Sequence, residues 1–145
     1  MTGTARDPVL VDGLFQLSFL LHGVLARIAA THDLSVVQVR LLAILRDHEP
    51  GMWQLAQHLE LEKSSLSGLV DRAEKRGLVE RIASAGDGRA TNVRVTARGR
   101  KLSRVVEQQV TAEVAALTSA LSGSDREQLA NLVGRVVRST AKPRV

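Results

Sequence analysis

Residues 63–96 read KSSLSGLVDRAEKRGLVERIASAGDGRATNVRVT, and this stretch decides the fold. Leu66, Leu69, Val70 and Ala73 stand at the i, i+3, i+4, i+7 spacing of one helix face, which predicts a helix from Lys63 to Arg76. Gly77 follows as a natural stop, because glycine takes the left-handed conformation at little cost. Leu78 to Ile82 reads as a strand. Ser84 to Ala90 holds Gly86-Asp87-Gly88, a hairpin signal, and Asn92 to Thr96 alternates about Val93 and Val95 as the return strand. Two strands this short do not stand alone in water, so they must lean on the helices before them.

Upstream, the short segment Trp53 to Leu59 carries Leu55 and Ala56. Before it, Leu34-Ser35-Val36-Val37-Gln38 opens a helix, with Ser35 as cap and Gln38 three residues on, as in a capping box. That helix is expected to reach about His48, where Glu49-Pro50-Gly51 ends it. Residues 9–31 place Val9, Leu10, Leu14, Leu17, Leu21, Val24, Leu25 and Ile28 at helical spacing. Phe15, Phe19 and Leu20 widen this stripe past one face, and such a helix meets more than one partner: a subunit interface, a ligand cavity, or both.

Downstream, Leu102, Val105, Val106, Val110, Val114, Leu117 and Leu121 predict a long helix from Ala97 to about Leu121. Ser122-Gly123-Ser124 breaks it. Ser124 and Glu127 form a second capping box, opening a last helix that carries Leu129, Leu132, Val133, Val136 and Val137. The tail from Ala141 to Val145, with Pro143, is expected to fray. The fold class is therefore mainly α with a small β-hairpin wing: a helix-turn-helix followed at once by a hairpin, flanked by further helices.

The bulk properties fit one domain. The chain has 145 residues, 44% of them apolar and only 2% aromatic, so its core is built from Leu, Val, Ile and Ala. The absence of cysteine excludes a disulfide scaffold, a thiolate zinc site and a thiol redox switch. No apolar run approaches the ~18 residues of a membrane span. Residues 1–8 lack a basic stretch followed by an apolar one, so the cytoplasm is the expected location and no membrane is expected as partner. The net charge is +5, but residues 63–104 alone carry eleven basic and four acidic side chains. This segment is therefore strongly positive while the remainder is slightly negative. A regional positive charge suits a polyanion.

The helix at 63–76 has the two faces a recognition helix needs. One face is apolar; the other presents Ser64, Ser67, Gly68, Asp71 and Lys75. The major groove of duplex DNA admits one α-helix, and short side chains at a helix N-terminus allow close approach to base edges and phosphates. Ser64, Ser65 and Ser67 can donate or accept there, while Lys63, Arg72, Lys75 and Arg76 suit phosphates, as positioning contacts. At the hairpin tip, Arg89 suits a narrow minor groove, and Asp87 can orient its guanidinium through a bidentate pair.

These pieces resemble the MarR family of bacterial regulators over Leu34 to Leu102. The resemblance is carried by Leu34-Ser35-x-x-Gln38, Leu55-Ala56-x-x-Leu59, Leu69-Val70-Asp71-Arg72, Glu74-Lys75-Arg76-Gly77-Leu78-Val79-Glu80-Arg81, Asp87-Gly88-Arg89-Ala90 and Val95-Thr96-x-x-Gly99. It implies a winged helix-turn-helix lobe at about 34–96 and dimerisation helices at about 9–31 and 97–140, together one domain over 1–145. It further implies a homodimer on a pseudo-palindromic duplex, with Asp87 and Arg89 as the wing-tip pair. The family also implies a small aromatic or phenolic effector, for which the helix of Phe15, Phe19 and His22 would wall a cavity; as bare residues, Phe15 and Phe19 read first as plain core or interface packing. The reading is a sequence-specific DNA-binding transcription regulator, a repressor released by a ligand. An effector-independent DNA-binding protein and a helical interaction module are the alternatives.

Three positions depart from the family pattern. Gly68 stands where a longer polar residue is common, which removes one base contact and lowers helix propensity by roughly 1 kcal/mol relative to Ala. Ala73 replaces a leucine, and Met52-Trp53 replaces a polar cap. His22, His32, His48 and His58 lack metal-ligand spacing, and no cofactor is implied. Paired catalytic carboxylates, a nucleophile elbow and a phosphate loop are not found, so no enzyme activity is expected.

Overall fold

The computed structural model describes residues 7–140. Its elements run α1 (Pro8–Thr31), α2 (Val36–Leu45), α3 (Met52–Leu59), α4 (Lys63–Lys75), β1 (Val79–Ser84), β2 (Asp87–Val95), α5 (Ala97–Leu117) and α6 (Gly123–Thr140). The frayed tail expected at 141–145 lies outside the described residues. The chain divides into two compact units, the first ending at Val110 and the second beginning at Thr111.

Local chemistry sets most boundaries in the first unit. The Asp7 carboxylate accepts from Leu10 N at 3.1 Å and opens α1, with Pro8 in its first turn. Ser35 opens α2 through the expected capping box: its hydroxyl accepts from Gln38 N at 3.2 Å, and Gln38 Oε1 accepts from Ser35 N at 2.8 Å. α2 stops at Leu45, short of His48. Leu45 is its last buried residue, and the exposed run from Arg46 to Glu49 has nothing to bury. Gln54 Oε1 accepts from Gly51 N at 3.1 Å at the start of α3, supplying from within the helix a bond that no polar cap residue provides. Gly77, at φ +70°, turns the chain out of α4 as expected.

The core of this unit is aliphatic. Leu41 and Leu45 of α2, Leu55 of α3, Leu66, Leu69 and Val70 of α4, Val79 of β1 and Val93 of β2 are fully buried. Val24, Ile28 and Ala29 from the C-terminal half of α1 and Val106 from α5 join them. The hairpin gains a third edge from the α2–α3 connection: Val93 N donates to the Pro50 carbonyl at 2.9 Å, and Asn92 Nδ2 donates to the Glu49 carbonyl at 2.8 Å. This is how two short strands are held on the helices.

The hairpin differs from expectation at its tip. The strands pair in regular antiparallel register from Val79↔Val95 to Ala83↔Thr91, and the next pair is Ser84↔Asp87. The turn is therefore Ala85-Gly86, with Gly86 at φ +95°, and Asp87 already belongs to β2. The register shift bulges β2 across residues 88–90. The turn falls inside the expected region Ser84 to Ala90, and of its two glycines only Gly86 stands at positive φ.

The exit from the wing is tightly built. Thr96 Oγ1 donates to the Gly77 carbonyl at 2.6 Å and accepts from Gly99 N at 3.0 Å, while Thr96 N donates to the Leu78 carbonyl at 3.0 Å. One threonine thus caps α5 and ties it to the end of α4. Gly99 is required here: a Cβ would collide with the Leu78 carbonyl oxygen and meet Val95 Cγ2 at 2.9 Å.

In the second unit, α5 ends at Leu117 rather than near Leu121. Ser119 N donates to the Ala116 carbonyl at 3.2 Å and Leu121 N to the Thr118 carbonyl at 3.1 Å, tightening the chain into turns. α6 is capped by Ser122, whose hydroxyl accepts from Asp125 N at 3.1 Å, and not by Ser124.

Two apolar surfaces remain open. The N-terminal half of α1 exposes Val9, Leu10, Leu14, Phe15, Phe19 and Leu20, and α6 exposes Leu132, Val133, Val136 and Val137 with no residue buried. Phe15 and Phe19 lie side by side on α1, ring centroids 6.4 Å apart, and are not core residues of this chain. α1 also corrects one expectation. By length and composition it is long and apolar enough to cross a membrane, with an 18-residue window of mean hydropathy 1.7. Asp12, Gln16, Ser18 and His22 interrupt the stretch, so its apolar character lies in the window average and not in a continuous run.

Candidate nucleic-acid interface

Helix α4 realises the two faces read from the sequence. Leu66, Leu69, Val70 and Ala73 are buried against the core. Lys63, Ser64, Ser65, Arg72 and Lys75 are exposed, and Ser67 is half-buried. The N-cap position is Glu62, with no side-chain cap hydrogen bond, so the first-turn N–H groups stay open to an acceptor from outside. A helix N-terminus with open N–H groups, small hydroxyl side chains and a lysine is suited to phosphate oxygens and base edges.

The wing is fastened to α4 by an arginine that sequence reasoning did not single out. Arg81 on β1 pairs through Nη2 with Asp71 Oδ1 at 2.7 Å and through Nη1 with Glu74 Oε1 at 3.2 Å. Its backbone N also donates to Glu74 Oε2 at 3.0 Å. On the hairpin, Glu80 and Arg94 are register partners and pair at 2.8 Å. Exposed pairs of this kind contribute little energy, typically about 0–1 kcal/mol each. Their effect is geometric: the Arg81 pairs hold the wing to α4, the Glu80–Arg94 pair ties the two strands together, and between them they occupy three of the four acidic groups of the basic segment. The Glu80–Arg94 pair was findable from hairpin register. The Arg81 bridge was not, because it depends on how β1 lies along α4.

Arg76, expected at a phosphate, has its guanidinium engaged within the chain. Its Nη1 donates to the Asp33 carbonyl at 2.6 Å and its Nη2 to the His32 carbonyl at 3.0 Å, so the guanidinium fastens the end of α4 to the α1–α2 corner. Arg72 behaves differently: a Cβ built on Gly68 would lie 3.2 Å from Arg72 Nη1, so its guanidinium lies back over Gly68. Arg89 sits on the bulged part of β2 and is exposed. Its expected pairing with Asp87 falls on a side chain outside the described set.

At the other end of the unit, His32 Nε2 lies 2.9 Å from Gln109 Oε1 of α5. Arg46 donates to Asp47 at 3.0 Å and to Glu107 at 3.1 Å. The Asp47 hydrogen bond first, then the charges of Asp47 and Glu107, hold its guanidinium above the ordinary arginine value. Among the described residues, no group of three or more His, Asp or Glu is placed to hold a metal ion.

Comparison with known proteins agrees with this architecture. A family model described as MarR family matches residues 32–90. The HTH-type transcriptional regulator PecS of Dickeya dadantii (strain 3937) is 32% identical over 136 residues, covering 90% of this chain and 81% of PecS. The crystal structure of RV1404 from Mycobacterium tuberculosis superimposes with a TM-score of 0.81 at 25% identity, covering 97% of this chain and 99% of that one. NadR in complex with 4-hydroxyphenylacetate gives 0.73 at 24% identity, covering 94% and 97%. The fold and the exposed face of α4 thus define a winged helix-turn-helix DNA-binding protein. The chain belongs to the MarR family and is a DNA-binding transcriptional regulator.

Proposed function

We propose that this regulator is a cytoplasmic homodimeric repressor, which holds a pseudo-palindromic duplex operator and releases it when a small aromatic or phenolic molecule binds. The observation that carries the DNA half of this reading is α4. Its buried stripe is complete, and the opposite face leaves Lys63, Ser64, Ser65 and Lys75 exposed beside an uncapped N-terminus. Ser67 and Arg72 complete the surface offered to the major groove. Arg89, on a bulge that re-aims the tip of the wing, reaches the adjacent minor groove, with Asp87 as its orienting partner. Arg76 belongs to the scaffold.

Dimerisation is supported by the two open apolar surfaces. Val9 is 81% exposed and Phe19 72%, and α6 buries none of its residues within the chain. Exposed apolar area on this scale marks an interaction surface. A protein partner suits α1 better than a bilayer, because Val24, Ile28 and Ala29 at its C-terminal end are already built into the core of the DNA-binding unit. The ligand reading is supported by the Phe15–Phe19 pair on the same helix and by the 4-hydroxyphenylacetate held by the structurally similar NadR.

The test is a gel shift on the DNA flanking the protein's own gene, with and without 4-hydroxyphenylacetate as a phenolic probe. A retarded complex that the phenol dissolves is expected. A complex indifferent to this and other small phenols would remove the effector from the reading, and no complex on any flanking duplex would remove the operator.

A further inference from the structure

A glycine in the middle of a helix needs a reason, and among the described residues no backbone of another element is pressed against Gly68. Among the described residues, and apart from the helix's own backbone, the one atom within 4 Å of a Cβ built there is Arg72 Nη1, at 3.2 Å. Helical side chains tilt toward the N-terminus, so a residue at i+4 naturally lies over position i. With no Cβ at position 68, the arginine settles onto the helix surface. The same Gly-x-x-x-Arg spacing in α6 has the same outcome, with a Cβ on Gly134 lying 3.0 Å from Arg138 Nη1, so the geometry follows from the spacing itself.

On α4 this has a directional consequence. At 100° per residue, opposite the stripe of Leu66, Leu69, Val70 and Ala73, Gly68 lies about 30° from the outward direction, whereas Arg72 itself lies about 70° away, on the flank. From its own flank position Arg72 would meet the DNA backbone. Drawn over Gly68, its guanidinium moves from the flank to within about 30° of the outward direction, on the face where base edges are met. The neighbouring acids do not pull it back, because Asp71 and Glu74 are held by Arg81 on the wing.

We propose that Arg72 reads a base, and that Gly68 is the gap which lets it do so. The contact the geometry points to is the bidentate pairing of a guanidinium with O6 and N7 of a guanine in the major groove. Gly68 then does not delete a base contact from the helix; it hands that contact to a side chain one turn further on. This assignment rests on the DNA-binding reading of α4 and adds a specificity residue to it.

The experiment selects duplexes from a randomised library with the full-length protein. Wild type, Arg72→Ala and Gly68→Ala are then titrated against the best duplex, its single-base-pair variants and an unrelated duplex of equal length. Wild type is expected to prefer G·C at one pair in each half-site by about 5- to 150-fold. Arg72→Ala should lose that preference at that pair alone and keep its affinity for the unrelated duplex. Gly68→Ala, which places a methyl group against the guanidinium, should erode the same preference while retaining helical circular dichroism. Uniform weakening of every duplex by Arg72→Ala, with a salt slope smaller by about one, would make Arg72 a phosphate anchor and overturn the assignment. So would a folded Gly68→Ala with unchanged preference. Failure of the wild type to retain any duplex would overturn the DNA reading and the assignment together, which distinguishes the two failures.

Discussion

Arg76 donates to the carbonyl of Asp33 at 2.6 Å, joining the last turn of the recognition helix to the corner between α1 and α2. Asp33 stands at φ +54° in that corner, and its neighbour His32 accepts from the same guanidinium while its ring meets Gln109 of α5. The orientation of α4 is therefore mechanically linked to α1 and α5. Arg76→Ala should lower unfolding stability in urea by about 1–3 kcal/mol, as expected for losing a charged hydrogen-bond donor. It should leave the salt slope of DNA binding at the wild-type value. A slope reduced by about one would place Arg76 on a phosphate instead.

Gly99 is the position least tolerant of a side chain. Gly99→Ala must push α5 away from Leu78 and Val95, at a cost of about 3 kcal/mol or more. Gly13, exposed on α1 with no described atom within 4 Å of a built Cβ, is the control. Gly13→Ala meets no clash within the chain and should stabilise by up to about 1 kcal/mol through helix propensity. Thermal unfolding of the two variants reads the contrast directly.

Operator binding should weaken steeply with salt, as log K falling linearly with log salt, because each neutralised phosphate releases counterions. Arg89→Ala should weaken operator binding while leaving the sedimentation coefficient of the free protein unchanged. Equal affinity of variant and wild type in anisotropy titrations would take the wing tip out of the interface.

Sedimentation should show a dimer at micromolar protein. Val136→Asp on α6 introduces a charge at a site 63% exposed within one chain. It should dissociate the dimer without disturbing the core of the DNA-binding unit, leaving most of the helical circular dichroism in place. A variant that remains dimeric would exclude that face of α6 as the interface.

Much of the architecture is written in local pattern. The caps at Ser35 and Gly77 and the buried stripe of α4 depend on residues a few positions apart, and the structure bears them out. The wing was legible as a hairpin but not in its register. The Gly-rich stretch 86–88 permits several turns, and which one forms depends on how Val79, Val93 and Val95 seat in the core.

What the sequence alone determined is the order of elements, the apolar face of each helix and the concentration of positive charge around α4 and the wing. These are consequences of side-chain periodicity and count. What only the tertiary structure decided is which cations face outward. Arg76 and Arg81 are basic residues of the same segment as Lys75 and Arg89, yet one clasps the carbonyls of 32 and 33 and the other bridges Asp71 and Glu74. Arginine serves a phosphate, a base edge, a carbonyl or a carboxylate with the same five donors. Its role is therefore set by the acceptor that folding brings within reach, which for Arg76 lies 43 positions away along the chain.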